Sequence, residues 1–302
     1  MSKLIWLVNL RSGGGAGVRV LDALRPFCGG RLSAQELDLA NPAAQLEMSQ
    51  VSDRVIIAGG DGTVSRLLPH LMRLPRAVGV FPLGTGNDLA RELGSIGLAS
   101  RPPSEWIEHF QRASVSNLSI WEVQYASYSG LFCCYLSCGF DALVCAGYDR
   151  RRSWARQPAA IDEPLWLRRA EYLKCALRAL RSPALSEINV RSDVREMVWR
   201  PLRAVIFANI KSYMGIGWSN SSSDAFDDLL ESIPVRSILD YFRMLAMRRG
   251  FGRGATAVQG SQFSVEGLDP GVSIQADGEP LPVFSGNSLQ VRRVGGMKVL
   301  VA

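Results

Sequence analysis

The sequence predicts an α/β N-terminal domain over residues 1–115 followed by a β-rich C-terminal domain over residues 116–302. Three observations predict it. Up to about residue 112, short apolar runs alternate with helical patterns, the signature of βαβ units on a parallel sheet. Two of those runs, Val55–Ala58 and Val78–Phe81, break into the turns Gly59-Gly60-Asp61-Gly62-Thr63 and Gly84-Thr85-Gly86-Asn87-Asp88, each at a helix start. From about Ser116 the texture changes to strands punctuated by glycine and proline.

Taken in order, Lys3–Leu10 reads as a buried strand that ends in Arg11-Ser12-Gly13-Gly14-Gly15-Ala16-Gly17, with a helix from about Val18 to Leu24. Ala34–Leu39 is a second strand. A dinucleotide fingerprint fails here, because G-x-G-x-x-G read from Gly13 lands on Val18, and no P-loop string occurs. Asn41 as cap and Pro42 at the first helical position open a helix running to Asp53. If the strands before the glycine turns are parallel neighbours, the turns share one edge of the sheet, where such folds bind ligands. Helix N-termini with bare amides favour anions, phosphate above all. Asp61 and Asp88 repel a phosphate unless a cation stands between, as nucleotide-bound magnesium does. One Gly-Asp-Gly is most simply a tight turn; two turns about one βα unit apart, each after an apolar strand, favour a site. Pro103-Ser104-Glu105 opens a helix through Arg112.

In the second half, strands are expected at Val115–Tyr128 and Gly130–Phe140, turning near Ser129-Gly130. Asp141 reads as a helix cap or as a polar residue of a cleft. Asp149–Arg181 holds nine Lys or Arg against four acids, with Arg150-Arg151-Arg152 and Arg168-Arg169 clustered among Trp154 and Trp166. That is either a solvated helix face or a membrane-facing patch; nothing else supports nucleic acid. Ser221–Glu231 gathers hydroxyls and acids able to offer oxygen to a hard cation, or is a solvated acidic loop. Pro234–Arg249 reads as a helix. Asp277-Gly278 is a hairpin signal.

At 47% hydrophobic and 21% charged, the chain of 302 residues can bury sizeable cores. A net charge of +6 suits anionic partners without choosing among them. No window approaches the roughly 18 apolar residues of a membrane span. The N-terminal run is read as the first strand and not a signal peptide. Six cysteines without CxxC spacing are expected to be reduced and buried, hence cytoplasmic. Two distant histidines, His70 and His109, exclude a His-ligated metal or a Ser-His-Asp triad.

Gly59–Thr63 (GGDGT) and Pro82–Arg91 (PLGTGNDLAR) resemble the catalytic domain of diacylglycerol kinases, within the wider lipid kinase and NAD kinase superfamily. Asn9-Leu10-Arg11-Ser12-Gly13-Gly14 is similar to that family's N-P-x-S-G-G, with Leu10 for proline. Gly139–Ala142 and Asn209–Trp218 are similar to its G-x-D-A and N-x-x-S-Y-x-G-G segments. The resemblance implies a Rossmann-like first domain, a β-sandwich-like second one and an active site in the cleft between them. It also implies an ATP-dependent kinase, using magnesium, that moves the γ-phosphoryl group to a lipid hydroxyl, first of all that of diacylglycerol to give phosphatidic acid. Association with the membrane would be peripheral.

On this resemblance Gly13, Gly14, Gly59, Gly60, Gly62, Thr63, Val64 and Gly84 line the phosphates, with Asn9, Arg11, Ser12, Thr85 and Asn87 adding contacts. Asp61 and Asp88 position magnesium, and Glu279, assisted by Asp277, accepts the proton from the lipid hydroxyl. A structural magnesium is implied at Asp224, Asp227 and the Leu229 carbonyl, although Asp228 replaces a glycine there and Glu231 an aspartate. Sphingoid bases, ceramide and polyprenols stay open as acceptors. So do an NAD kinase-like or nicotinamide enzyme and a silent lipid-binding protein; keeping all four carboxylates argues against the last.

Overall fold

The computed structural model describes residues 2–48, 52–154, 165–215, 217–220, 222–247 and 258–302; the side chains of Arg152, Arg168 and Arg169, expected at a membrane-facing patch, lie outside the described ones. The described residues form two compact units. The first runs to Leu118 and takes in Gly295–Ala302; the second lies between Ser119 and Val294.

In the first unit, strands and helices alternate as β1 (Leu4–Val8), α1 (Ala16–Leu24), β2 (Leu32–Glu36), α2 (Pro42–Met48), β3 (Arg54–Gly59), α3 (Asp61–Leu71), β4 (Ala77–Pro82), α4 (Asp88–Glu92) and α5 (Pro103–Arg112). The strands LIWLV, RVIIAG and AVGVFP carry almost nothing polar and are buried throughout, which is what a parallel sheet covered on both faces requires. Their order is β2-β1-β3-β4, all parallel. On one face Trp6, Phe81, Trp106 and Phe110 pack together, with Trp6 and Phe110 edge to face at 5.4 Å. Arg54 donates to the carbonyls of Phe110 (2.5 Å) and Ala113 (2.9 Å), satisfying acceptors that the end of α5 leaves open.

The following elements are β5 (Ser114–Tyr125), β6 (Tyr128–Phe132), β7 (Tyr135–Gly139), α6 (Phe140–Trp154), α7 (Leu165–Ala179), β8 (Ile188–Ser192), β9 (Glu196–Trp199), β10 (Ala204–Ala208), β11 (Ser212–Tyr213) and β12 (Gly217–Trp218). Then come β13 (Leu230–Val235), α8 (Ile238–Met247), β14 (Val258–Gly260), β15 (Gln262–Glu266), β16 (Ile274–Ala276), β17 (Glu279–Pro280) and β18 (Ser288–Val301). In the second unit one antiparallel sheet runs β14-β13-β10-β7-β16-β17, and another set pairs β18-β15-β8-β9. Trp121, Phe132, Phe207, Phe263 and Phe284 anchor its core. The last residues of β18 return to the first unit, where Val299 pairs in parallel with Val78 of β4.

Two local expectations are corrected. The β5–β6 turn falls at Ala126, with φ +46°, and not near Gly130, which lies within β6 beneath the ring of Tyr128. Pro234 belongs to β13, opposite Val205, and the helix begins at Ile238. Asp240 accepts from the amides of Arg236 and Ser237, both at 2.9 Å, at that helix start. Five of the six thiols are buried and none forms a disulfide; Cys28 is exposed, contrary to expectation.

Candidate active site

The carboxyl ends of β1, β3 and β4 each pass into a glycine turn, and the three turns touch. A Cβ built on Gly60 would lie 2.7 Å from the Cα of Gly84, and one on Gly13 2.6 Å from the Leu83 carbonyl oxygen. Backbone therefore packs on backbone, which only glycine permits. Gly60→Ala is expected to destabilise the protein by about 1–3 kcal/mol, read as a lowered Tm.

Side chains tie the turns together. Asn9 donates from Nδ2 to Thr63 Oγ1 at 2.9 Å and accepts the Arg11 amide at 3.1 Å. Ser12 Oγ lies 3.4 Å from the same threonine oxygen. Asp61, in the first turn of α3, accepts the amides of Asp88 (3.0 Å) and Leu89 (3.1 Å), so one turn's carboxylate caps the helix that follows the other. Asn87, with φ +52°, closes its own turn by accepting from the Gly84 amide (2.7 Å) and donating to the Gly84 carbonyl (2.8 Å).

These bonds revise part of the expected phosphate cradle. The amides of Thr63 and Val64 both donate to Gly60 O, at 2.9 and 3.3 Å, and that of Gly84 is taken by Asn87. Gly13, Gly14 and Gly60 donate to no backbone acceptor outside the regular elements among the described residues. Gly13, Gly14 and Gly15 share positive φ, a run that glycine adopts at little cost. Thr85 is half-buried and Arg11 exposed. Asp88 is 1% exposed, with Oδ1 3.3 Å from Arg91. Asp61 fits a magnesium-bound phosphate better: it is half-buried, in the first turn of α3.

In the second unit, Asp277 and Gly278 occupy the two central positions of the β16–β17 hairpin with φ +51° and +82°, a type I′ turn. Asp277 is buried. Its Oδ2 accepts the amide of Cys133 (2.9 Å), and its Oδ1 accepts those of Cys134 (2.8 Å) and Tyr135 (3.0 Å). Burial raises this carboxyl, and the three amides oppose that rise. Asp277 is therefore the anchor of the turn, and Glu279, half-buried, follows it opposite Ala276. The sulfurs of Cys133 and Cys134 lie near the Asp277 carboxylate, yet its amide bonds make the trio an anchor and not a metal site.

Asp141, at the start of α6, is buried and accepts from the Tyr213 hydroxyl; burial foremost raises its pKa. It stands in a pocket of about 320 Å³ that is otherwise nearly all apolar, between α6, α7 and α8, with Phe140, Val144, Leu173 and Tyr241 among its walls. Sequence reading left Asp141 undecided and did not find this pocket, because α6, α7 and α8 meet only in the folded chain. Asn209 proves structural: it is buried, donates to the carbonyls of Ser119 and Cys133 and accepts from Trp121.

The acidic loop is held by its own side chains. Asp224 and Asp227 cap the amides two residues on, of Phe226 (3.0 Å) and Leu229 (2.9 Å). Asp228 takes φ +62° in the glycine's place and pairs with Arg293 at 2.7 Å. Glu231 is fully buried, with Oε1 accepting from Gln259. Burial first, then neighbouring acids, raises the pKa of Asp227 and of Glu231. Carboxylates so crowded fit a cation, although no three of them bring their oxygens within 4.8 Å of one another among the described residues. Because both are raised in the folded state, the stability they contribute is full below their unfolded pKa and is lost as pH rises through the folded one. Magnesium is thus expected to raise Tm at neutral pH and to do so less as pH falls into the carboxylate range, measured by melts with and without the ion.

The first unit is α/β with a parallel sheet and the second is β-rich. A candidate diacylglycerol kinase from Bacillus anthracis superposes with a TM-score of 0.70 at 17% identity, covering 99% of this chain and 97% of that one. Residues 3–123 match the family model of the diacylglycerol kinase catalytic domain, as the glycine turns led one to expect. Diacylglycerol kinase zeta of Rattus norvegicus is 34% identical over 131 residues, 41% of this chain and 14% of that protein. Diacylglycerol kinase theta of Mus musculus is 26% identical over 92% of this chain, which spans 33% of it. The chain thus covers well under two thirds of these relatives.

Proposed function

We propose that this protein is an ATP-dependent lipid kinase that phosphorylates a hydroxyl of a neutral lipid, diacylglycerol first, giving phosphatidic acid. The observation that carries the reading is the meeting of three glycine turns at the carboxyl ends of β1, β3 and β4, held by Asn9, Thr63 and Asp61. Gly13, Gly14 and Gly60 hold the phosphates, with Ser12 and Thr85 beside them. Magnesium bound with the nucleotide would neutralise phosphate charge, and Asp61 would help to hold it. Asp88 serves indirectly, fixing Arg91 and α4. Glu279 accepts the proton of the attacking hydroxyl, and Asp277 holds its turn in place. The acceptor's chain takes the apolar pocket, with Asp141 and Tyr213 at its polar end. The structural cation stays with Asp224, Asp227 and the Leu229 carbonyl.

The enzyme acts at a membrane surface from the cytoplasmic side; no helix among the described residues is long and apolar enough to cross a bilayer. Of the arginines expected at that surface, Arg151 pairs with Glu171. Labelled ATP with diacylglycerol micelles, sphingoid base, ceramide, polyprenol or NAD tests the reading. Phosphate transfer to diacylglycerol is expected; transfer to NAD alone, or none, overturns it.

A further inference from the structure

The apolar pocket of the second unit opens onto an apolar surface. Leu173, Leu177 and Leu180 recur at i, i+4 and i+7 along α7 and the turn after it, and Phe242 stands on α8. All four line the pocket, yet they are 62, 58, 39 and 61% exposed. Leu239, one turn before Phe242, is 63% exposed and does not line the pocket. Surface helices ordinarily turn such a stripe inward, and contiguous apolar patches mark interaction sites. Elsewhere in the second unit the large exposed apolar side chains among the described residues are the smaller Val194, Val198 and Val283.

Cations border the patch. Lys174 and Arg243 are exposed and bonded within their own helices, to Glu171 and Asp240. Exposed Arg178 and Arg181 have no acidic partner at salt-bridge distance among the described residues. We propose that this face docks on an anionic lipid bilayer, with Leu173, Leu177, Leu239 and Phe242 entering the acyl boundary and Arg178 and Arg181 meeting headgroups. The pocket mouth then opens into the membrane, and an apolar ligand enters without crossing water. This rests on the lipid kinase reading only for what enters the pocket. A second copy of the chain fits the face less well, because among the described residues exposed acids free to meet Arg178 and Arg181 are lacking on it: Glu171 and Asp240 already hold Lys174 and Arg243. A bilayer supplies both the anionic charge and the ligand.

The test is sedimentation of the full chain with phosphatidylcholine vesicles, with and without a third of phosphatidylglycerol. Leu239→Glu is expected to weaken binding on the order of tenfold, Arg178→Glu with Arg181→Glu to abolish the preference for phosphatidylglycerol, and Val194→Glu to change nothing. All should keep the wild-type Tm and the wild-type turnover of a dispersed short-chain diacylglycerol. Unchanged vesicle binding in both face variants overturns the proposal, as does a wild-type dimer that Leu239→Glu dissociates while vesicle binding persists. Vesicle binding that follows these expectations without turnover of any lipid would sink the kinase reading and leave the docking face standing.

Discussion

Glu279→Gln is expected to lower kcat for lipid phosphorylation on the order of a thousandfold, with Tm and ATP affinity unchanged. The amide keeps the shape and polarity of the side chain but cannot take the hydroxyl's proton. The position is well held: Asp277 and Gly278 both adopt positive φ, and the Asp277 carboxylate is bonded to three consecutive amides, Cys133 to Tyr135. A rotation of the turn is therefore a poor explanation for any loss. A fall of less than tenfold, or an equal loss with a lowered Tm, removes Glu279 as the base.

Asp61→Ala should cost on two counts that can be separated. Its carboxylate accepts the amides of Asp88 and Leu89, so its removal uncaps α4 and is expected to cost about 1–2 kcal/mol of stability. Loss of the charge beside the nucleotide's magnesium should lower the rate by a thousandfold or more, several kcal/mol in the transition state. Asp61→Asn divides the two. Its amide oxygen still caps part of α4 and restores most of the Tm, while the rate stays low. Full activity in Asp61→Asn at saturating magnesium would limit Asp61 to the cap.

The strands and glycine turns of the first unit were legible because each is a local event. Val55–Ala58 and Val78–Phe81 are apolar runs that only a buried strand explains, and glycine marks where each ends. What joins the turns was not legible. Asp61 bonds to an amide 27 residues on, and Asp277 to one 144 residues back. Neither contact leaves a trace in spacing or periodicity, so the sequence offers each acid a turn or a chemical role but not the distant amides it caps. Tertiary packing also overrode local signals: Ala126 takes the turn that Ser129-Gly130 advertises, since Tyr128 covers Gly130. Pro234 lies inside a sheet because it faces Val205 at a ladder position, where a helix start seemed the simpler reading from sequence.

The placement of Gly295–Ala302 beside β4 has a consequence for biosynthesis. Val78 and its neighbours emerge from the ribosome early, yet the strand that covers that side of the sheet, with buried Met297, Val299 and Leu300, is translated more than two hundred residues later. Until then β4 offers an open, wholly apolar margin, the kind that recruits stray strands. A nascent chain that carries β4 but not yet the end of β18 thus presents an edge that a holdase could cover, and the first unit is completed only after the second has been made.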